Sequence, residues 1–132
     1  MYDQNLISTK EMENVCTRDI ECVSNFIQAI WNENLYSEIS SYLHDQFIDH
    51  SIPFRFLQNK EGLLVYLKAM TARISHFTDI LELRKIHDFV FCKIRIRVTD
   101  LSDYADSNHE IIEGFRLFKM QDNRIIAHWE ML

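Results

Sequence analysis

Glycine and proline are nearly missing from this chain, with two Gly and one Pro in 132 residues. That excludes a collagen-like or low-complexity linker protein and leaves ordinary residues to make the bends. Cysteine is scarce and odd in number. Cys16, Cys22 and Cys92 have no CxxC spacing, which argues against a disulfide framework or a structural zinc site and for buried small hydrophobes. A basic excess is also lacking: 14 Lys and Arg stand against 20 Asp and Glu, a formal charge of −6, despite the local row Lys93, Arg95 and Arg97. A nucleic-acid partner is therefore not expected. No uncharged run reaches the roughly 18 residues a membrane span requires. The opening Met1-Tyr-Asp-Gln-Asn has neither the basic start nor the apolar centre of a signal peptide, so a cytoplasmic protein without a membrane partner is expected. No HxH or HxxxH pair occurs, and Asp100, Asp103 and Asp106 lack the glycine and terminal glutamate of a calcium loop. Neither a metal nor another cofactor is expected.

What is present is an ordinary globular composition, 47% hydrophobic, with two Trp, five Tyr and nine Phe, enough large rings to line a cavity. The length suits one domain burying about two thirds of its unfolded surface. Residues 1–15 are polar with weak periodicity and read as an N-terminal arm or a short capped turn around Ser8-x-x-Glu11; residues 16–132 read as the domain. Ile20, Val23, Phe26, Ile27, Ile30 and Trp31 fall at helical spacing and predict a helix over about 18–34. A second helix is expected over 37–45 behind Ser37, and a third over 60–77 with Leu63, Leu64, Leu67, Met70 and Ile74 inward. Phe47 to Ile52 reads as a strand stopped by Pro53, and Phe54 to Leu57 as a second short strand. Val90, Cys92, Ile94, Ile96 and Val98 alternate with Phe91, Lys93, Arg95 and Arg97, a strand whose partner is Leu81 to Ile86 across a turn near His87-Asp88. Thr99 to Asn108 has no period and reads as a loop before a strand over 109–120. Helices and short strands followed by a run of antiparallel strands make an α+β layout with one curved sheet.

The last eighteen residues spell a hairpin. Asp122-Asn123 is its turn, since Asn tolerates the positive φ that a two-residue turn demands. Counting outward from Gln121 opposite Arg124 pairs Met120 with Ile125, Phe118 with Ala127 and Arg116 with Trp129 on one face. Lys119/Ile126, Leu117/His128 and Phe115/Glu130 then share the other.

This closing segment, F-R-L-F-K-M-Q-D-N-R-I-I-A-H-W-E-M-L, resembles the final hairpin of SnoaL-like polyketide cyclases of the NTF2-like superfamily. Ala29 to Leu35 (A-I-W-N-E-N-L), Phe47 to His50 (F-I-D-H) and Lys60 to Leu67 (K-E-G-L-L-V-Y-L) follow the family's order, so the resemblance spans roughly residues 18–132. It implies a curved antiparallel sheet wrapped around three helices into a cone with an apolar internal pocket, usually in a homodimer. The same resemblance places Arg116 where the cyclases carry their acid/base aspartate. A guanidinium with a pKa above about 12 cannot shuttle protons, so that mechanism does not transfer. Arg116 can instead hold a carboxylate, phosphate or enolate; alternatively it stacks on Trp129 or pairs with an acid. In ketosteroid isomerases, similar in fold, the general base lies at or within one residue of His50.

The candidate base is therefore His50, whose imidazole titrates near neutrality. Asp49, its neighbour, points to the opposite strand face and cannot form a dyad with it. Trp31, Phe118 and Trp129 are expected as pocket walls, Arg116 as the polar anchor, and Tyr66 as either a ligand contact or core filler. His128 is expected on the outer face with Phe115, Leu117 and Ile126, an apolar row suited to a homodimer. His76 reads as a helix-end residue. Two functions fit: a protein that binds a small hydrophobic or carboxylate-bearing molecule, or an isomerase, cyclase or dehydratase using His50.

Overall fold

The computed structural model describes residues 9–101 and 109–132, with side chains from Thr17 onward. The Ser8 capping box, most of the expected arm, the environment of Cys16 and the 102–108 part of the expected loop lie outside the described residues.

Helix α1 runs from Thr9 to Phe26 and continues through a π-helical turn over Ile27–Asn32. Its apolar stripe is the expected one, with Val23, Phe26, Ile27 and Ile30 all buried. The wide turn shows in two hydrogen bonds, Glu33 N to Gln28 O at 2.9 Å and Leu35 N to Ala29 O at 2.8 Å. Asn34 then ends the run at φ 58°, a left-handed position that Asn accepts. A 3₁₀ turn, Tyr36–Glu38, leads to a short α2, Ile39–Tyr42. Strand β1 spans Leu43–Asp49, earlier than expected, and Phe54 to Leu57 holds a 3₁₀ turn at Arg55–Leu57 rather than a strand. Helix α3 spans Lys60–Thr71, with Asn59 Oδ1 accepting from Gly62 N at 2.8 Å as its N-cap. A side chain at Gly62 would collide with the Leu57 backbone, so glycine permits the close turn into this helix.

Four long or medium strands follow: β2 Ile74–Ile86, β3 Phe89–Asp100, β4 His109–Gln121 and β5 Arg124–Met131. The third helix stops short of its expected end at residue 77 because Ile74, His76, Thr78 and Ile80 already alternate with Ser75, Phe77 and Asp79, the two-residue period of a strand. Thr99 and Asp100 belong to β3 rather than to the expected loop. The curved sheet has the order β1-β5-β4-β3-β2, with β2 to β5 antiparallel and β1 added parallel to β5, so it is mixed. Val90, Cys92, Ile94, Phe118 and Ile125 on its inner face pack with the helices into one core.

The hairpin turn lies at Asp122-Asn123, with φ of 55° and 61°, as the two-residue loop requires. The register beyond it departs from simple counting. Met120 pairs with Ile125 but Lys119 pairs with Ala127, so Ile126 is an extra residue in β5, a bulge. One inserted residue exchanges the faces of everything after it. Arg116 therefore pairs with Glu130, Phe118 with His128 and Leu117 with Trp129. His128 and Glu130 move to the inner face, and Trp129 to the outer one.

Candidate functional site

A cavity of about 160 Å³ opens between the inner sheet face and the helices. Its buried end is formed by Trp31, Asp49, Thr78 and Arg116, and exposed Ser51 and Tyr66 stand at its rim. Ile96, Val98 and Ile112 contribute apolar wall.

Arg116 dominates this end. Its guanidinium is 1% exposed, lies 3.9 Å from the centre of the Trp31 ring and donates from Nη2 to Glu130 at 3.0 Å. Burial lowers its pKa, and the charges of Glu130 and Asp49 oppose that shift. Nε and Nη1 are buried without a protein partner. An aromatic face and one carboxylate offset part of the desolvation cost of a buried cation, and two donor positions remain unused.

Asp49 is held from β1 and the turn after it. Its Oδ1 accepts from Ser51 N at 2.9 Å, from the Ser51 hydroxyl, and from His128 Nδ1 at 3.0 Å. A carboxylate only accepts, so His128 carries its proton on Nδ1 in this pair. Burial pushes the Asp49 carboxyl upward, but the hydrogen bond and charge of His128 and the bonds from Ser51 outweigh it and hold the pKa below the usual aspartate value. Oδ2 takes no part in this network. His128 packs flat against Phe118 at 4.8 Å, and its Nε2 is buried without a partner.

On the opposite wall, the π-helical turn is bound to edge strand β2 by one side chain. Asn32 Nδ2 donates to Thr78 O at 3.0 Å and Asn32 Oδ1 accepts from Thr78 N at 2.8 Å, as a neighbouring strand would. This contact sets Trp31 beside His76, edge to face at 6.1 Å. Burial, and then the charge of Arg116, lower the His76 pKa, which favours the neutral ring.

The structure brings together three of the expected site residues, Trp31, Tyr66 and Arg116. The other three lie elsewhere. His50 is exposed and stacks on Trp129 at 4.8 Å on the outer side of the sheet, so a cavity base at His50 is corrected. Trp129 is not a pocket wall, because the Ile126 bulge turns it outward beside Leu117 and Phe89. Phe118 is on the inner face but fully buried against Phe26, forming core behind the cavity rather than its lining. Counting missed Asp49, His76 and Thr78 and put Glu130, a possible acid partner for Arg116, on the outer face. The signal for Asp49 was its two-residue offset from Phe47; for His76 and Thr78 it was the alternation from Ile74. Among the described residues, no group of three or more His, Cys, Asp or Glu is placed to hold a metal ion. No helix among them is long and apolar enough to cross a membrane.

No family model matches the sequence, and no curated protein matches it. Its fold is nonetheless shared with solved structures. A proposed polyketide cyclase from Bacillus cereus superposes with a TM-score of 0.74 at 20% identity, over 95% of this chain and 78% of that one. IdmH, a proposed polyketide cyclase from Streptomyces antibioticus, gives 0.75 at 12% identity over 86% and 90%. An LEH-like epoxide hydrolase from M. tuberculosis gives 0.71 at 15% identity over 87% and 78%. The chain thus has the NTF2-like fold of SnoaL-like cyclases and LEH-like epoxide hydrolases.

Proposed function

We propose that the domain of residues 16–132 binds a small, neutral, largely apolar molecule carrying a polarisable oxygen and moves a proton on it, as an isomerase or cyclase does. One observation carries this reading: Arg116 is buried in an apolar cavity with Nε and Nη1 unpartnered. A ligand oxygen that gains negative charge when a proton leaves the adjacent carbon would meet donors already oriented and dry, where such contacts are strongest. Asp49 Oδ2 is the proton acceptor in this scheme, with His128 and Ser51 fixing the carboxylate through Oδ1. Glu130 balances and orients Arg116.

Size and charge narrow the ligand. About 160 Å³ of cavity compares with an apolar cavity of about 150 Å³ that accepts benzene, so the bound portion is about one ring. Two carboxylates face one guanidinium, so a further carboxylate is disfavoured, and of the two expected ligand classes the hydrophobic one fits better. The structural relatives fit such chemistry, although one fold hosts many activities. A non-catalytic binding role has one observation in its favour: Asp49, held below the ordinary carboxyl range, is a weak base.

The ligand reading is tested by thermal shift and calorimetry with cyclohexanone and benzaldehyde against cyclohexanecarboxylate and benzoate. The neutral compounds should stabilise the protein, and the effect should vanish in a folded Arg116→Met variant. Stabilisation by the carboxylates alone, or neutral binding indifferent to Arg116→Met, would contradict it.

A homodimer through the outer sheet face completes the proposal. Phe91 and Phe115 meet there as tilted rings 5.1 Å apart beside Leu117 and Trp129, and Phe115 remains 37% exposed. His128, expected in that interface, is on the inner face and takes no part.

A further inference from the structure

The polar contacts of the cavity are not confined to Arg116. Trp31 Nε1, His76 Nε2 and Thr78 Oγ1 are each buried without a hydrogen-bond partner, and all three residues line the same cavity. Trp31 is 7% exposed and Thr78 2%. Three desolvated polar atoms on the wall shared by the π-helical turn and β2 are costly unless something bonds them, because a buried unmet donor or acceptor loses its water without replacement. The local hydrogen bonding leaves these side-chain atoms available. Asn32 satisfies both backbone groups of Thr78, so its hydroxyl is not needed to cap the strand edge. Trp31 presents one ring face to Arg116 and meets the His76 ring edge to face, and its Nε1 has no hydrogen-bond acceptor in the protein.

The geometry points to a second polar subsite, formed by Trp31, His76 and Thr78, that holds a second oxygen of the ligand while Arg116 holds the first. The inference rests on the ligand reading above and deepens it: the molecule is a ring ketone or related compound bearing a further neutral hydroxyl or carbonyl, not a simple hydrocarbon ketone. The subsite carries no formal charge of its own, since indole and hydroxyl are neutral and burial beside Arg116 favours the neutral His76 ring. Indole N–H only donates, the threonine hydroxyl does either, and the imidazole nitrogen follows its tautomer. An alcohol, which both accepts and donates, suits that set best.

The test compares cyclohexanone with 3-hydroxycyclohexanone by ligand-observed NMR titration up to millimolar concentrations. The hydroxyketone should bind about tenfold more tightly, the gain expected of one or two well-made hydrogen bonds. Thr78→Val removes the hydroxyl at nearly constant shape, and His76→Phe keeps the ring against Trp31. Each should erase the advantage of the hydroxyketone over cyclohexanone, weakening the hydroxyketone by more than it changes cyclohexanone. Equal affinity of the two probes for the native protein, with both weakened by Arg116→Met, would overturn the second subsite and leave the first intact. Failure of both probes to bind would overturn both. A preference for the hydroxyketone that survives both substitutions would place the second oxygen elsewhere and overturn this assignment.

Discussion

At the scale of residues, the Arg116–Glu130 ion pair joins two partners that differ in exposure. Arg116 is fully buried, whereas the Glu130 side chain is 23% exposed. Removing either partner leaves the other unpaired, but only the arginine is left without water. Glu130→Leu should therefore destabilise the fold by about 3 kcal/mol or more, as for an uncompensated buried charge. Arg116→Met, which removes that charge and leaves a carboxylate that reaches solvent, should cost less. Urea unfolding of both variants checks the order, and equal losses would contradict it. The Asp49 network adds a pH dependence. Its folded pKa lies below the ordinary value of 3.8, so its ionised form stabilises the fold above that value, and the contribution is lost as pH falls through the folded pKa. The stability gap between the native protein and Asp49→Asn should be smaller at about pH 3 than at about pH 5, as the Asp49 carboxylate takes up its proton. A gap that widens on acidification would reverse the assignment.

Among the elements, Asn32 performs a task no strand performs: it pairs the free edge of β2 at Thr78 and anchors the π-helical turn that carries Trp31. Asn32→Ala should cost about 1–3 kcal/mol, the penalty for leaving buried backbone groups unpaired, and should speed hydrogen exchange at the Thr78 amide. Unchanged protection there would show that the edge is held by other contacts. The same scale explains what could be read from the sequence. The α1 stripe, the β3 alternation and the turns at His87-Asp88 and Asp122-Asn123 were legible because periodicity and turn chemistry are local properties. The inner face of β5 was not. A bulge at Ile126 adds one residue without a glycine or proline to mark it, and every face assignment beyond it, Trp129, His128 and Glu130 included, was exchanged. Around the end of β1, Phe47, Ile48 and Ile52 are all apolar, so alternation alone did not decide whether Asp49 or His50 faced inward. Thr71 to Ile74 likewise carries no helix-stop residue, which hid His76 inside an overlong helix and left Thr78 just past its end.

For the whole molecule, the curved sheet separates two surfaces with different tasks. Its inner face, with the helices, encloses the cavity. Its outer face carries rings flanked by the Arg95–Glu113 and Arg97–Asp79 pairs, an apolar patch with a charged border on an acidic protein. Such a patch suits a symmetric contact between copies. Light scattering at micromolar concentration should give a dimer that Leu117→Glu converts to a folded monomer; a monomeric native protein, or a dimer indifferent to the substitution, would contradict it. The central claim, proton transfer inside the cavity, is tested most directly by following α-proton exchange of cyclohexanone and 3-hydroxycyclohexanone in D₂O by NMR. The account predicts exchange faster than in buffer, reduced at least about a hundredfold by Asp49→Asn, as for loss of a general base, and similarly by Arg116→Met, with His50→Gln unchanged. Ligand binding without accelerated exchange, or exchange abolished by His50→Gln and untouched by Asp49→Asn, would contradict it.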